Sequence, residues 1–115
     1  MSTNTQAQSA RFIPISPGVE MRTLRVHPDG GRTFMIRMEA GARAPFHDQP
    51  GGEETFLLSG DLRIVDRLDV AGIALPDAAL QEGEYFYASS GERHAGISDK
   101  GALFFVVAAG GVLPA

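Results

Sequence analysis

From Phe12 onward, short apolar runs are separated by turn chemistry, and within the runs the apolar positions recur every second residue. In "RTFMIRME", Phe34, Ile36 and Met38 alternate with Met35, Arg37 and Glu39, which predicts a strand with one buried face. Upstream, "VEMRTLRV" (Val19 to Val26) runs into "HPDGG", whose Pro28, Asp29, Gly30 and Gly31 are tight-turn residues, so the two runs form an antiparallel hairpin. "ETFLLSGDLRIVD" holds two further runs, Glu54 to Leu58 and Leu62 to Asp66, joined at Ser59-Gly60-Asp61 as a second hairpin. "LQEGEYFYAS" and "ALFFVVAA" supply the remaining strands, the latter a continuous apolar run suited to burial on both faces. "ALPDAALQE" is the one helix-like stretch. Its shortness and Pro76 make it a loop leading into a strand. About eight or nine strands with almost no helix predict an all-β sandwich or small barrel, an architecture that protects strand edges and can hold a ligand inside.

Composition narrows this picture. The 115 residues fit one core, and 14 glycines with seven prolines favour short strands over long helices. A net charge of −4 without any basic cluster argues against nucleic acid or an anionic membrane surface as a partner. With no cysteine, disulfides, thiolate ligands and cysteine nucleophiles are excluded, so a metal would have to use N and O donors. Residues 1–10, "MSTNTQAQSA", lack the basic start and apolar core of a secretory signal; they are expected to be a disordered tail on a cytoplasmic protein, with the barrel over residues 11–115.

Candidate chemistry concentrates in "HDQPGGEE", residues 47 to 54. On a strand His47 and Gln49 share a face and Asp48 takes the other, while Gly51-Gly52 lets the chain turn sharply and return Glu53 to the same pocket. Farther on, "GEYFYASSGERH" sets His94 after a Ser-Ser-Gly-Glu turn. Two imidazoles and one carboxylate make a set that binds divalent iron, manganese, nickel or zinc and leaves coordination positions open. The blander readings assign His27 to a solvated hairpin tip, Glu54, Glu82 and Glu84 to solvated charges, and Phe34, Phe56, Tyr85, Phe86, Phe104 and Phe105 to the core. Ser89 and Ser90 lack the orienting acid and elbow that a serine nucleophile requires.

These residues resemble the cupins, most closely the small ChrR-like cupins named for the sensory domain of a bacterial anti-sigma factor. The first cupin motif, Gly, His-x-His, Glu, Gly, is met by Gly41, His47, Gln49, Glu53 and Gly60 with every spacing kept and glutamine in place of the second histidine. The second, Gly, Pro-x-Gly, His, is met by Gly83, Ser89, Gly91 and His94 with serine in place of proline. The resemblance implies a single-domain double-stranded β-helix, or jelly-roll barrel, holding one divalent metal at His47, Gln49, Glu53 and His94. Gln49 is either a fourth, weaker ligand or a hydrogen-bonding group beside a facial triad; a degenerate cupin without metal is the third outcome.

What cupins of this design resemble, together with the open site, implies a dioxygenase or related oxidoreductase acting on a small dicarbonyl or enol-like substrate. A metal-dependent isomerase and a non-enzymatic sensor of the ChrR type are the alternatives. Strand parity places Phe34, Ile36, Met38, Thr55 and Leu57 around the substrate as a mostly apolar pocket. Phe12, Ile13, Ile15, Phe56 and Leu58 leave more apolar surface than one barrel covers, which predicts a homodimer.

Overall fold

The computed structural model describes residues 11–110 and the strand Leu113–Pro114; the tail expected over residues 1–10 lies outside the described residues. Strands β1 (Ile13–Ser16), β2 (Val19–Val26), β3 (Arg32–Met38), β5 (Glu53–Gly60), β8 (Tyr85–Ala88) and β10 (Ala102–Ala108) form a six-stranded antiparallel sheet in the order β1-β2-β3-β10-β5-β8. Strands β4 (Arg43–Gln49), β6 (Leu62–Leu68), β7 (Ala78–Leu80), β9 (Glu92–Ile97) and β11 (Leu113–Pro114) form a second sheet in the order β11-β4-β9-β6-β7. After β3 the chain passes repeatedly between the sheets, with β6 and β7 the one consecutive pair among the described strands that stays in a single layer, and the two sheets stack as a jelly roll. They face each other without being hydrogen-bonded into a closed barrel. No helix among the described residues is long and apolar enough to cross a membrane.

The core follows the period-two pattern. Phe34, Ile36 and Met38 of β3, Leu57 of β5 and Phe104 and Val106 of β10 meet Leu62, Ile64 and Leu80 of the other sheet, all of them buried. Three of the strand expectations need correction. The runs joined at Ser59-Gly60-Asp61 are not a hairpin: β5 pairs with β10 and β8, β6 with β7 and β9, and the turn carries the chain from one sheet to the other. "ALFFVVAA" is not buried on both faces: in β10 buried and half-buried residues alternate, because among the described residues no second layer covers Leu103, Phe105 and Val107 on the outside of the sheet. "LQEGEYFYAS" is two strands, because Gly83 adopts φ +83° and breaks the run. Glu84 caps that corner by accepting the Gln81 amide at its Oε1. β7 therefore ends at Leu80 as the edge of one sheet, and the residues from Tyr85 on begin an edge strand of the other.

Three ring or carboxyl groups read as solvated are engaged locally. His27 is half-buried, with Nε2 2.7 Å from the Thr33 hydroxyl across the β2–β3 hairpin. Glu82 accepts the Gly60 amide at 3.0 Å, and Glu54 accepts the Tyr85 hydroxyl at 2.8 Å. A short polar side chain does comparable work at the far end of the molecule. Asp61 accepts the Lys100 and Asp99 amides and the Ser98 hydroxyl, tying the β5–β6 turn to the β9–β10 turn.

Candidate metal centre

His47 and His94 face each other across the β4–β9 ladder, where they are register partners. Their rings meet edge to face with centroids 5.0 Å apart. The parity that puts His47 on the inner face arises from a β-bulge. The pairing of β4 with β9 slips by one residue between Ala44 and His47, so that Ala44 and His47 both line the interior although they are of opposite parity. The bulge also brings the Pro45 carbonyl to 2.8 Å from His47 Nδ1.

Glu53 enters from the other sheet. The turn that carries it is built on Gly52, at φ +87°, whose amide donates to the Gln49 carbonyl at 3.2 Å. A Cβ on Gly52 would lie 2.9 Å from the Tyr87 hydroxyl and 3.0 Å from the Ala88 carbonyl oxygen, so both the conformation and the space call for glycine. The same Gln49 carbonyl accepts the Gly91 amide at 2.7 Å, which fastens the turn before Glu53 to the turn before His94. With both turns anchored, Glu53 Oε2 lies 3.5 Å from His47 Nε2 and Glu53 Oε1 lies 3.4 Å from His94 Nε2.

Each imidazole is fixed through its other nitrogen. Pro45 offers a carbonyl oxygen to His47 Nδ1, and Glu92 offers a carboxylate oxygen at 2.9 Å to His94 Nδ1. Both acceptors require a proton on Nδ1, so that in the neutral imidazoles the two Nε2 atoms, which face Glu53, carry the lone pairs that a metal ion could take. Glu92 is itself held by a two-point ion pair from Arg67, at 2.9 and 3.0 Å, and Arg67 also lies over the Phe86 ring. A second bulge produces this arrangement. In β6 the pairing with β9 slips between Val65 and Leu68, and within the slip Asp66 takes φ +55°, so that Arg67 comes to the same face as His94. Glu92 and Arg67 were missed in the sequence reading, which put Glu92 in a turn. It is the first residue of β9, and the spacing Glu92-x-His94 on one strand face was the available signal.

The charges are set by this cluster. Burial alone would raise the Glu53 pKa, but hydrogen bonds and charge from His47 and His94 outweigh it and bring it down to about 2. Burial alone would lower that of His47; Glu53, the Pro45 carbonyl and the Asp48 charge raise it instead. For Glu92, burial is again overridden, by Arg67 and His94, and the carboxyl is held below its ordinary value. An ionised carboxylate therefore sits between two imidazoles.

His47, Glu53 and His94 could hold a metal ion, since one ligand atom from each lies within 4.8 Å of the others. Their closest separations approach the roughly 3.0–3.4 Å expected between ligands about 2.1 Å from one ion. Gln49 supplies a further test of fit. It is fully buried two residues along the same strand face as His47, and neither its Oε1 nor its Nε2 has a hydrogen-bond partner among the described residues. An unsatisfied buried amide costs about 1–3 kcal/mol, a penalty that an ion taking Oε1 would relieve. The donor set suits a divalent ion.

The cluster opens on a cavity of about 450 Å³ between the sheets. Of the residues predicted to surround a substrate, Phe34, Ile36 and Thr55 line it, whereas Met38 and Leu57 are packed in the core beyond it and Gln49 is not part of its wall. Phe104, Val106, Leu62 and Ile64 also belong to the apolar wall, and Arg32 lies on it as well.

A family model described as ChrR Cupin-like domain matches residues 2–112. Among solved structures, an RmlC-like cupin from Shewanella frigidimarina shares 15% identity over 88% of this chain and 85% of that one, with a TM-score of 0.66. Drosophila melanogaster CENP-C bound to CAL1 shares 12% identity over 90% and 84%, with a TM-score of 0.75. A deletion mutant of Bacillus subtilis oxalate decarboxylase OxdC shares 19% identity over 93% of this chain but 31% of that one, also at 0.75. At these identities the likeness is one of fold. A search of curated protein sequences finds no match to this chain.

Proposed function

The chain belongs to the ChrR cupin-like family, and from that premise we propose that it is a metal-dependent enzyme, a dioxygenase or related oxidoreductase acting on a small oxygenated, largely apolar substrate. The ion is divalent iron, manganese, nickel or zinc, held by His47, Glu53 and His94 with Gln49 as fourth ligand. The observation that carries the reading is the pair of imidazoles, each locked through Nδ1, that aim Nε2 at one buried carboxylate on the wall of an apolar cavity. When bound, the ion would supply Lewis acidity to a chelating dicarbonyl or enolate and, were it iron or manganese rather than redox-inert zinc, a centre for electron transfer. The chain's own part is to hold three donors in fixed orientation and to keep water from the reacting group with Phe34, Ile36, Phe104 and Val106. The cavity falls in the usual range for small-molecule sites, about 300–1,000 Å³, and its apolar wall suits a compact dicarbonyl better than a sugar.

Oxygen-uptake measurements with a panel of β-dicarbonyls and 2-oxo acids, on protein of known metal content, test this. Metal-dependent uptake with any of them supports the reading; none with every metal loaded contradicts it. A metal-dependent isomerase would instead convert the substrate without oxygen. A binding or sensing module is favoured by one observation, that a protein of the same fold, CENP-C, is seen bound to a protein partner; ligand binding without turnover would select it. We propose also that the protein is a cytoplasmic homodimer.

A further inference from the structure

Among the described residues the cavity wall carries one lysine or arginine, Arg32, and its position is set by register. On β3 it continues the inward series of Phe34 and Ile36, and it pairs with Ala108 of β10. Ala108 pairs in turn with Glu53 of β5. Arg32, Ala108 and Glu53 thus occupy one row across three adjacent strands, on the same face of the sheet. Strands about 4.8 Å apart put the first and last of these about 10 Å from each other, with only a methyl group between them. The next rows inward, Phe34 with Val106 and Thr55, then Ile36 with Phe104, are apolar apart from the threonine hydroxyl.

Arg32 is exposed and makes no ion pair or side-chain hydrogen bond among the described residues, unlike Arg37, Arg43, Arg63 and Arg67, each of which pairs with a carboxylate. A guanidinium presents a planar fork of donors matched to a carboxylate, and beside an apolar wall its field is less screened than in open water. In a chain of net charge −4 such a group gives the cavity mouth a local preference opposite to that of the whole surface.

We propose that Arg32 anchors the carboxylate of the substrate, so that the substrate class is a small carboxylic acid with a second oxygen function close to the acid group and a short apolar chain. The carboxylate lies against Arg32, the second oxygen points over Ala108 toward His47, Glu53 and His94, and the chain runs inward past Phe34 and Phe104. The placing of the second oxygen rests on the metal reading above; the carboxylate contact does not.

The test compares hexanoate with hexanamide, which differ in charge and hardly in shape, by titration calorimetry on the purified full chain, on Arg32→Gln, Arg32→Lys and His47→Ala, with metal content measured on every sample. The wild type is expected to bind hexanoate about tenfold or more tightly than hexanamide, the worth of one charge-assisted hydrogen bond. Arg32→Gln removes that preference and leaves hexanamide binding unchanged, while Arg32→Lys keeps part of it. His47→Ala, expected to lose its metal, keeps the preference. Equal or undetectable binding of both probes by the wild type overturns the proposal. So does a preference that survives in Arg32→Gln and vanishes in His47→Ala, since the carboxylate would then be read by the ion. Failure of the metal reading shows separately, as wild-type protein without metal.

Discussion

His94 is a defined donor because of Glu92, and Glu92 is an ionised acceptor because of Arg67. Removing either end of this relay leaves a charge with little solvent to stabilise it: the Glu92 side chain is 3% exposed and that of Arg67 15%. Glu92→Gln keeps the shape and loses the charge. Outer partners of metal-binding histidines are typically worth about 10–100-fold in affinity, so chelator competition should show a loss of that order in Glu92→Gln. Glu92→Ala should in addition destabilise the fold by about 3–5 kcal/mol, measured by chemical denaturation, because it strands Arg67. Gln49 predicts the opposite direction. An imidazole is a better donor than an amide oxygen toward late divalent ions, so Gln49→His should tighten zinc and nickel binding in the same competition assay.

At the scale of elements, turns and bulges carry the site, and the regular strands carry the core. Gly52 in the β4–β5 turn is the sharpest case. Gly52→Ala imposes a positive φ on a residue with a side chain and pushes its Cβ against Tyr87, at an expected cost of about 1–3 kcal/mol in denaturant melts. Asp61 makes a prediction about pH. Burial would raise its pKa, but the Lys100 and Asp99 amides, the Ser98 hydroxyl and the Lys100 charge lower it below its unfolded value of 3.8. Its stabilising effect is therefore fully present above that value and is lost as pH falls through the lower, folded one. Melting temperatures of wild type and Asp61→Asn should differ at neutral pH and converge in strong acid; a constant gap would contradict this. The strands were legible from the sequence because alternation at period two and the glycine-rich turns are local signals, and His47, Gln49, Glu53 and His94 could be singled out by spacing. The bulges at Pro45-Phe46 and at Asp66 were not. One extra residue reverses parity without changing composition, and the Arg67–Glu92 pair joins residues 25 apart in sequence that only the β6–β9 register brings together.

For the whole molecule, the outer face of the six-stranded sheet bears on assembly. Met35, Phe105, Phe56 and Tyr85 form a row across β3, β10, β5 and β8, with Phe56 39% and Tyr85 56% exposed. Of the residues expected to build a subunit interface, Phe56, Leu58, Ile13 and Ile15 are exposed, Ile15 also reaching the cavity wall, whereas Phe12 is half-buried beneath the Arg37 guanidinium. A homodimer through this face should become monomeric in Phe56→Glu, as read by light scattering at micromolar concentration, with metal content unchanged. Whether the molecule holds one divalent ion through His47, Glu53 and His94 is read from bound metal per chain, by elemental analysis of protein purified without a histidine tag. About one ion per chain is expected in wild type and in Asp48→Asn, whose aspartate takes the opposite strand face, and none in His47→Ala or His94→Ala. Wild-type metal content in either alanine variant, or a wild type that takes up no ion under reducing, metal-replete conditions, would contradict it.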